Sequence, residues 1–363
     1  MAIIKWREVV PWLSSASPFK GLSQRKRGLG MQIRVRQGSM AHRKHNIFAV
    51  CQVHQGGMRR RCVCKYGDAG LPYVIDIQEE QMDYKIIIDS CGDLPEGMKE
   101  DGHFESVPLE IFVDDYHIVD DTSFDQAEFL RRVKESPNCP KSACPSPERY
   151  METFRCRAEH IYVVTLSSQL SGSYNSAELG RKLYLEEQAG GKAAKIHVFD
   201  SKSASVGETV LAMKIQEYEE AGLEFEEVIA RVEAFQKEMN TSFVLETLET
   251  LRKNGRLSNL KAFVANTLNI KPVMAGTREG MICQIGQARG IARAVDKMVA
   301  DLVAKTKDPK EKILAVAHCN CPGRAAEIVE KARKLAEFKK IFVVETAGIS
   351  SMYASDGGVI VVA

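Results

Sequence analysis

IYVVTLSSQLSGSYNSAELGRKL, residues 161–183, is the stretch whose reading decides the fold. Five of its first six residues, Ile161 to Leu166, are aliphatic or aromatic, with Thr165 among them. A short, nearly unbroken apolar run of this kind predicts a strand buried on both faces of a parallel sheet. The run stops at Ser167; Ser168, Ser171 and Ser173 follow around Gln169 and Gly172, and Leu179 and Leu183 then return at helical spacing. The order is strand, hydroxyl-rich tip, helix. Open α/β sheets take small ligands beyond the carboxyl ends of their strands, where helix N-termini present N–H groups that favour an anion. The tip therefore reads as a candidate site for a small anionic group, beside the plainer reading that its serines cap the helix.

Outward from that stretch, 363 residues suggest two domains, and a chain 44% hydrophobic and 27% charged has the composition of an ordinary soluble protein. No apolar run reaches the length of a membrane span, so stable membrane insertion is not expected. Lys5 and Arg7 interrupt the only early apolar segment, which does not read as a signal peptide. Ten cysteines, with Cys62/Cys64 and Cys319/Cys321 as the close pairs, suit reduced thiols in a cytoplasm rather than a disulfide framework.

Charge divides the chain unevenly. Residues 1–81 hold fourteen Lys/Arg against five Asp/Glu, a balance of +9, and the remaining 36 and 43 leave residues 82–363 at −7. The first part has basic clusters (Arg25-Lys26-Arg27, Arg59-Arg60-Arg61), no sustained periodicity, and three histidines beside three cysteines without metal-ligand spacing. A nucleic-acid-binding arm is one reading of such charge. The sharp break at Met82, where a strand begins at once, favours a disordered or spurious N-terminal extension instead, with no nucleic-acid partner.

From Lys85 the alternation is regular. Ile86-Ile87-Ile88 ends in Asp89-Ser90-Cys91-Gly92-Asp93, and Ile196 to Phe199 ends in Asp200-Ser201 ahead of the helical pattern GETVLAMKIQEYEEAG. VPLEIFVDDYHIVDD predicts an exposed-edge hairpin, DQAEFLRRVKES a helix, and NCPKSACPSPE a loop pre-organised by its prolines, with Ser142 and Ser146 as side-chain donors. That loop leads through the helical PERYMETFRC into the central strand, so the two hydroxyl sets can converge. LETLETLRKNGRLSNLKAFVANTLNIKPVM reads as a helix, a basic turn at Asn254-Gly255-Arg256, a second helix and a strand ending at Met274. Strands at Ile313–Ala317 and Ile341–Glu345 then alternate with the helices IARAVDKMVADLVAKT and GRAAEIVEKARKLAE.

At these residues a resemblance becomes specific. DS-C-D at a strand tip, S-A-C-P-S-P, LSSQLSGSYNSA, VFDSKSASVGE, LRKNGRLS and a final GGVIVVA, in that order, resemble the DegV family of fatty-acid-binding proteins over essentially all of 83–363. The resemblance implies an α/β protein of two domains: 82–240 with a mainly parallel sheet flanked by helices and the carboxylate-binding loops, 241–363 as a second α/β domain, and a lipid slot between them. It implies no cofactor, and one bound long-chain fatty acid whose carboxylate meets the residues matching the family's threonine and serine, Ser142 and Ser171. Ser90, Ser168, Gly172, Ser173 and Tyr353 are the implied neighbours of that head group. Ala143 and Cys144 depart from the family's loop, and Tyr353 stands where many members have a histidine; a phenol donates a hydrogen bond but stays neutral near pH 7.

The resemblance further implies a cytoplasmic bacterial carrier rather than an enzyme. It would present its fatty acid to a separate fatty acid kinase, which makes the acyl phosphate used in phospholipid synthesis. Arg252, Lys253 and Arg256 are the expected docking charges, the alternatives being a solvated basic connection between helices and an Arg256 that closes a structural turn by capping the preceding helix. No G-x-S-x-G elbow, H-E-x-x-H or P-loop occurs. The rival reading is a serine-dependent lipid or thioester hydrolase with Ser171 as nucleophile and Asp89 or Asp200 and His318 as partners.

Overall fold

The structure, a computed structural model, describes residues 23–25, 31–36, 52–53, 60–65, 72–79, 82–188, 194–257 and 269–363. The chain divides into two compact units, Met1–Met82 and Asp83–Ala363. In the first, β1 (Ser23–Arg25), β2 (Met31–Arg36), β3 (Gln52–Val53), β4 (Arg60–Lys65) and β5 (Pro72–Glu79) form an antiparallel sheet in the order β1-β2-β5-β4-β3. These strands fall where the charge break predicts a disordered or spurious extension. The physical reason lies in short β-branched alternations, MQIRVR and PYVIDIQE, which a long window dominated by basic residues hides.

The second unit begins with β6 (Met82–Asp89), α1 (Glu96–Glu100) and β7 (Phe104–Val107). The hairpin forms from β8 (Glu110–Val113) and β9 (Tyr116–Val119), turning at Asp114 with φ 51°, but β8 is not an exposed edge, since Ile111 and Val113 are buried. After α2 (Gln126–Glu135), a short strand β10 (Lys141–Ala143) lies within the proline-rich loop and pairs antiparallel with β8, setting Ser142 opposite Ile111. Next come α3 (Pro147–Phe154), β11 (Ala158–Thr165), α4 (Ser173–Glu187), β12 (Lys195–Asp200), α5 (Val206–Glu220) and α6 (Phe225–Gln236). The remainder is β13 (Thr241–Val244), α7 (Glu249–Lys253), β14 (Ile270–Gly276), β15 (Ile282–Arg289), α8 (Ile291–Lys305), β16 (Ile313–His318), α9 (Pro322–Leu335), β17 (Lys340–Glu345), α10 (Gly348–Ala354) and β18 (Val359–Val362). The helix expected from residue 258 onward lies outside the described residues.

One sheet has the order β12-β11-β6-β7, with β11–β12 and β6–β7 parallel. Its central strands β6 and β11 are buried on both faces, as the central apolar run requires. Ile86, Ile88, Tyr162 and Val164 pack with Leu211, Ile215 and Val228 on one side; Ile87, Ile161 and Val163 pack with Tyr150, Phe154 and Ala177 on the other. Burying such a side chain fully contributes about 1.5–3 kcal/mol, so the sheet and its helices hold most of this half together. A second sheet, β15-β14-β13-β18-β16-β17, is antiparallel except for the β16–β17 pair. Val206 and Val210 of α5 pack on Ala315, Ala317 and Val362 of this second sheet, while Leu211 and Ile215 pack on the first; one helix is thus shared by both. No helix among the described residues is long and apolar enough to cross a membrane.

Candidate functional site

The tip after β11 and the loop before α3 do meet. A Cβ built at Gly172 would lie 3.2 Å from Cys144 Sγ, and Cys144 Sγ is 3.8 Å from Ser176 Oγ. Ser142, held by β10, has its Oγ 3.3 Å from the phenolic oxygen of Tyr353 on α10. Burial pushes the Tyr353 phenol above its ordinary value, partly offset by Ser142 and by the charge of Arg256. At neutral pH it is therefore an O–H donor.

The serines of the tip divide by role. Ser171, half-buried, accepts from the Ser173 N–H at 3.2 Å, which leaves its own hydroxyl hydrogen to donate elsewhere. Gly172 is exposed at the start of α4. Ser173 is fully buried and donates to Asp89 Oδ2 at 2.6 Å, with Tyr150 at the same distance. Ser90 donates to Asp120 Oδ2 at 2.8 Å and accepts from Leu109 N at 3.0 Å. Ser168 is half-buried, and its N–H donates to Asp200 Oδ1 at 3.0 Å. Ser146, read above as a donor, instead caps α3 by accepting from Arg149 N at 3.3 Å, with Pro147 at the first helical position. Ser90 and Ser173 hold the scaffold, while Ser142, Ser171 and Tyr353 face the loops.

Two buried acids, Asp93 of the DS-C-D motif and Asp120, hold the start of the helix that carries Tyr353. Asp120, at the end of β9, accepts from Gly348 N at 2.7 Å and Ile349 N at 2.9 Å, and Asp93 accepts from Ala347 N at 2.6 Å and from Ser205 Oγ. Carboxylates at a helix start satisfy its free N–H groups. Here they tie α10 to loops more than two hundred residues away. Burial nevertheless pushes the Asp93 carboxyl up to about 7 and that of Asp120 up to about 6.

Arg256 is a correction. It was grouped with the docking charges, but it is half-buried, and its Nε donates to Leu170 O at 3.1 Å and its Nη1 to Asn254 O. Its guanidinium stands 5.8 Å from the centre of the Tyr353 ring. The cause is the turn: Gly255 takes φ +76°, Arg256 N donates to Leu251 O, and the chain folds back over the end of α7. Arg252 and Lys253 remain exposed, Arg252 paired with Glu249 at 2.8 Å. The motif RKNGR contained the inward arginine, but charge clustering alone could not show which of its cations turns in.

Between the sheets lies a cavity lined by apolar side chains from both: Leu166, Leu170 and Ala204 on one side, Phe243, Leu245 and Ile282 on the other. Arg256, Tyr353, Lys202 and Thr241 also line it.

The hydrolase constellation does not assemble. Asp89 accepts from Leu166 N, Cys91 N and Ser173 Oγ rather than from a histidine; Asp200 is engaged by Ser168 N and by Lys202; His318, on β16 of the other sheet, accepts from Cys321 N. Asp89, Cys91 and Glu208 bring potential metal-ligand atoms within 4.8 Å of one another, all buried. Burial pushes the Cys91 thiol and the Glu208 carboxyl well up, which disfavours the deprotonated forms that a metal needs.

A family model described as an uncharacterised protein, DegV family, matches residues 83–363. A DegV domain-containing protein of Streptococcus pneumoniae is 36% identical over 257 residues, covering 71% of this chain and 89% of its own length. The crystal structure of a DegV-family protein from Ruminococcus gnavus with vaccenic acid is 52% identical, with a TM-score of 0.76 over 78% of this chain and 100% of that one. The Fatty Acid Kinase (Fak) B3 protein of Streptococcus pneumoniae, loaded with linoleic acid, is 35% identical with a TM-score of 0.69, over 77% and 99%. The motifs read along 83–363, the α/β architecture and these matches agree: the chain belongs to the DegV family.

Proposed function

We propose that the protein binds one long-chain fatty acid in the cavity between its sheets and presents the carboxylate to a separate kinase for phosphorylation. The observation that carries this reading is the apolar cavity whose lining includes Tyr353 and Arg256, with Ser142 bonded to Tyr353 beside it. Buried methylenes contribute about 0.8 kcal/mol each, so a chain of about fourteen to eighteen carbons supplies roughly 10 kcal/mol gross. The head-group contacts then mainly orient. The hydroxyls of Ser142, Ser171 and Tyr353 donate to the carboxylate, the N–H groups opening α4 add partial positive charge, and Arg256 adds a full one. Ser168, Gly172 and the scaffold serines Ser90 and Ser173 shape that corner.

A carboxylate held in this way is neither protonated nor covalently bound, and the exposed Gly172 and half-buried Ser171 leave it open to an incoming enzyme. Transfer of the phosphoryl group is the kinase's chemistry; this chain orients the acceptor oxygen. Exposed Arg252 and Lys253, near the same end through Leu251 and Arg256, are the proposed docking charges. The name of the Fak B3 relative supports that partner class. We place the work in the cytoplasm, with residues 83–363 carrying it and 1–81 contributing nothing to binding; a chain starting at Met82 is expected to bind as the full chain does.

Delipidated protein titrated with hexadecanoic acid and with its methyl ester tests the reading. The acid is expected to bind saturably and the ester about ten- to a hundredfold more weakly, because the charge-assisted hydrogen bonds are lost. Equal affinity would remove the head-group assignment, and no binding of either would remove the carrier role.

A further inference from the structure

Three of the residues lining the cavity lie on one strand at alternate positions: Thr241 and Phe243 on β13 and Leu245 just beyond it. Alternation puts them on one face, and at about 3.3 Å per residue they span about 13 Å. The cavity therefore runs along β13, from Leu251 and Arg256 beyond Leu245 toward Thr241. At Thr241 it meets a wall. Ser203 Oγ and Thr241 Oγ1 lie 2.7 Å apart, bridging the first sheet's loops to the second sheet. A Cβ at Gly276 would lie 3.7 Å from Thr241 Cβ, so a glycine on β14 fits against the same side chain.

Behind the wall is a second cavity. It shares Lys202, Thr241 and Gly276 with the first and continues to polar residues, Asn240, Thr277 and Arg278. The wall is fixed from several directions. Ser203 N donates to Ser201 Oγ at 3.1 Å and Ser203 O accepts from Ser201 Oγ at the same distance; Ser167 N donates to Ser203 O at 2.8 Å. Ser167 Oγ in turn donates to Gly280 O at 2.8 Å on the β14–β15 turn. Lys202 and Ser205, flanking this segment, take φ 53° and 58°, values non-glycine residues adopt only when their surroundings impose them.

We infer that the Ser203–Thr241 hydroxyl pair is the floor of the acyl slot and sets the longest chain the protein accepts. The inference rests on the fatty-acid reading above and adds to it the residues that select chain length. A methyl terminus reaching the floor meets two hydroxyls that satisfy each other, so a longer chain must break that bond or buckle. Removing the pair joins the apolar slot to the polar chamber and lets the chain run on.

The test is displacement titration of the full-length protein with straight-chain saturated acids of graded length. Wild type is expected to gain about threefold to fourfold in affinity per added methylene and then stop gaining at a limiting length. The double variant Ser203→Ala/Thr241→Ala should move that limit at least two carbons longer, raising affinity for the acid two carbons past the wild-type limit by about tenfold. Thr241→Leu, which narrows the same point, should move it shorter, and Thr241→Ser, which keeps the bridge, should leave it in place. An unchanged limit in Thr241→Leu and in the double variant, each still melting as the wild type does, overturns the floor while leaving the carrier intact. Absence of saturable binding in the wild type overturns the fatty-acid reading and the floor with it.

Discussion

Ser142 and Tyr353 stand 211 positions apart in the chain, yet their oxygens lie 3.3 Å from each other, one on β10, which pairs with β8, and one on α10. Tyr353 lines the cavity and Ser142 stands directly behind it, so on the proposed function both hydroxyls serve the head group. Ser142→Ala and Tyr353→Phe are each expected to weaken fatty-acid binding about ten- to a hundredfold, as the loss of one hydrogen bond to a charged group does. The double variant should fall short of the product, because either single change also frees the other partner. Isothermal titration with the three variants checks this.

Gly348 opens α10 against Asp120: a Cβ there would lie 2.5 Å from Asp120 Oδ1 and 2.9 Å from Ile111 Cδ1. Gly348→Ala must push the helix off its carboxylate, so the melting temperature and fatty-acid affinity should fall together. Gly97→Ala, where a Cβ meets nothing within 4 Å, should leave both unchanged. Thermal melts with and without fatty acid measure the contrast.

The carboxyls of Asp93 and Asp120, pushed up by burial to about 7 and about 6, bind protons in the folded state that the unfolded chain releases near pH 4. A raised carboxyl favours folding most at low pH, and that contribution declines as pH rises from about 4 toward 7. Asp93→Asn mimics the protonated form and does not titrate. Relative to wild type, its melting temperature should therefore be higher at pH 8 and lose that advantage by pH 5. A difference that ran the other way would mean the ionised carboxylate is the form the fold prefers.

Arg252→Glu/Lys253→Glu is expected to leave fatty-acid affinity nearly unchanged while lowering acyl-phosphate formation by the partner kinase. Added salt should weaken the wild type in the same direction, since encounter rates between opposite charges fall as salt rises. Arg256→Glu should behave differently, lowering stability, binding and phosphorylation together, because its side chain ties the turn after α7 to Leu170. Kinase assays at two ionic strengths, run beside melts, separate the two classes.

What the sequence revealed follows the range of the forces involved. Strands such as Ile161–Leu166 were legible because burial on both faces forces consecutive apolar residues, a pattern carried by adjacent positions. Ser142 and Ser171 were legible as motif positions. The capping roles of Asp93 and Asp120 were not: their partners lie more than two hundred residues away, and an acid that caps a distant helix looks locally like any turn aspartate. Docking and turn-closing roles for Arg256 were both open in the sequence for a related reason, since only the positive φ of Gly255 determines that it turns inward while Arg252 and Lys253 stay outside. Ser90 and Ser173 matched the site by type but are engaged by buried carboxylates that only the fold brings to them.

Native mass spectrometry of the full-length protein purified from cells tests the central claim most directly. One bound fatty acid per chain, released by denaturation and absent or strongly depleted in the Ser142→Ala/Tyr353→Phe variant, is the predicted result. A wild-type spectrum at the bare polypeptide mass, from protein that also fails to take up added fatty acid, would contradict it.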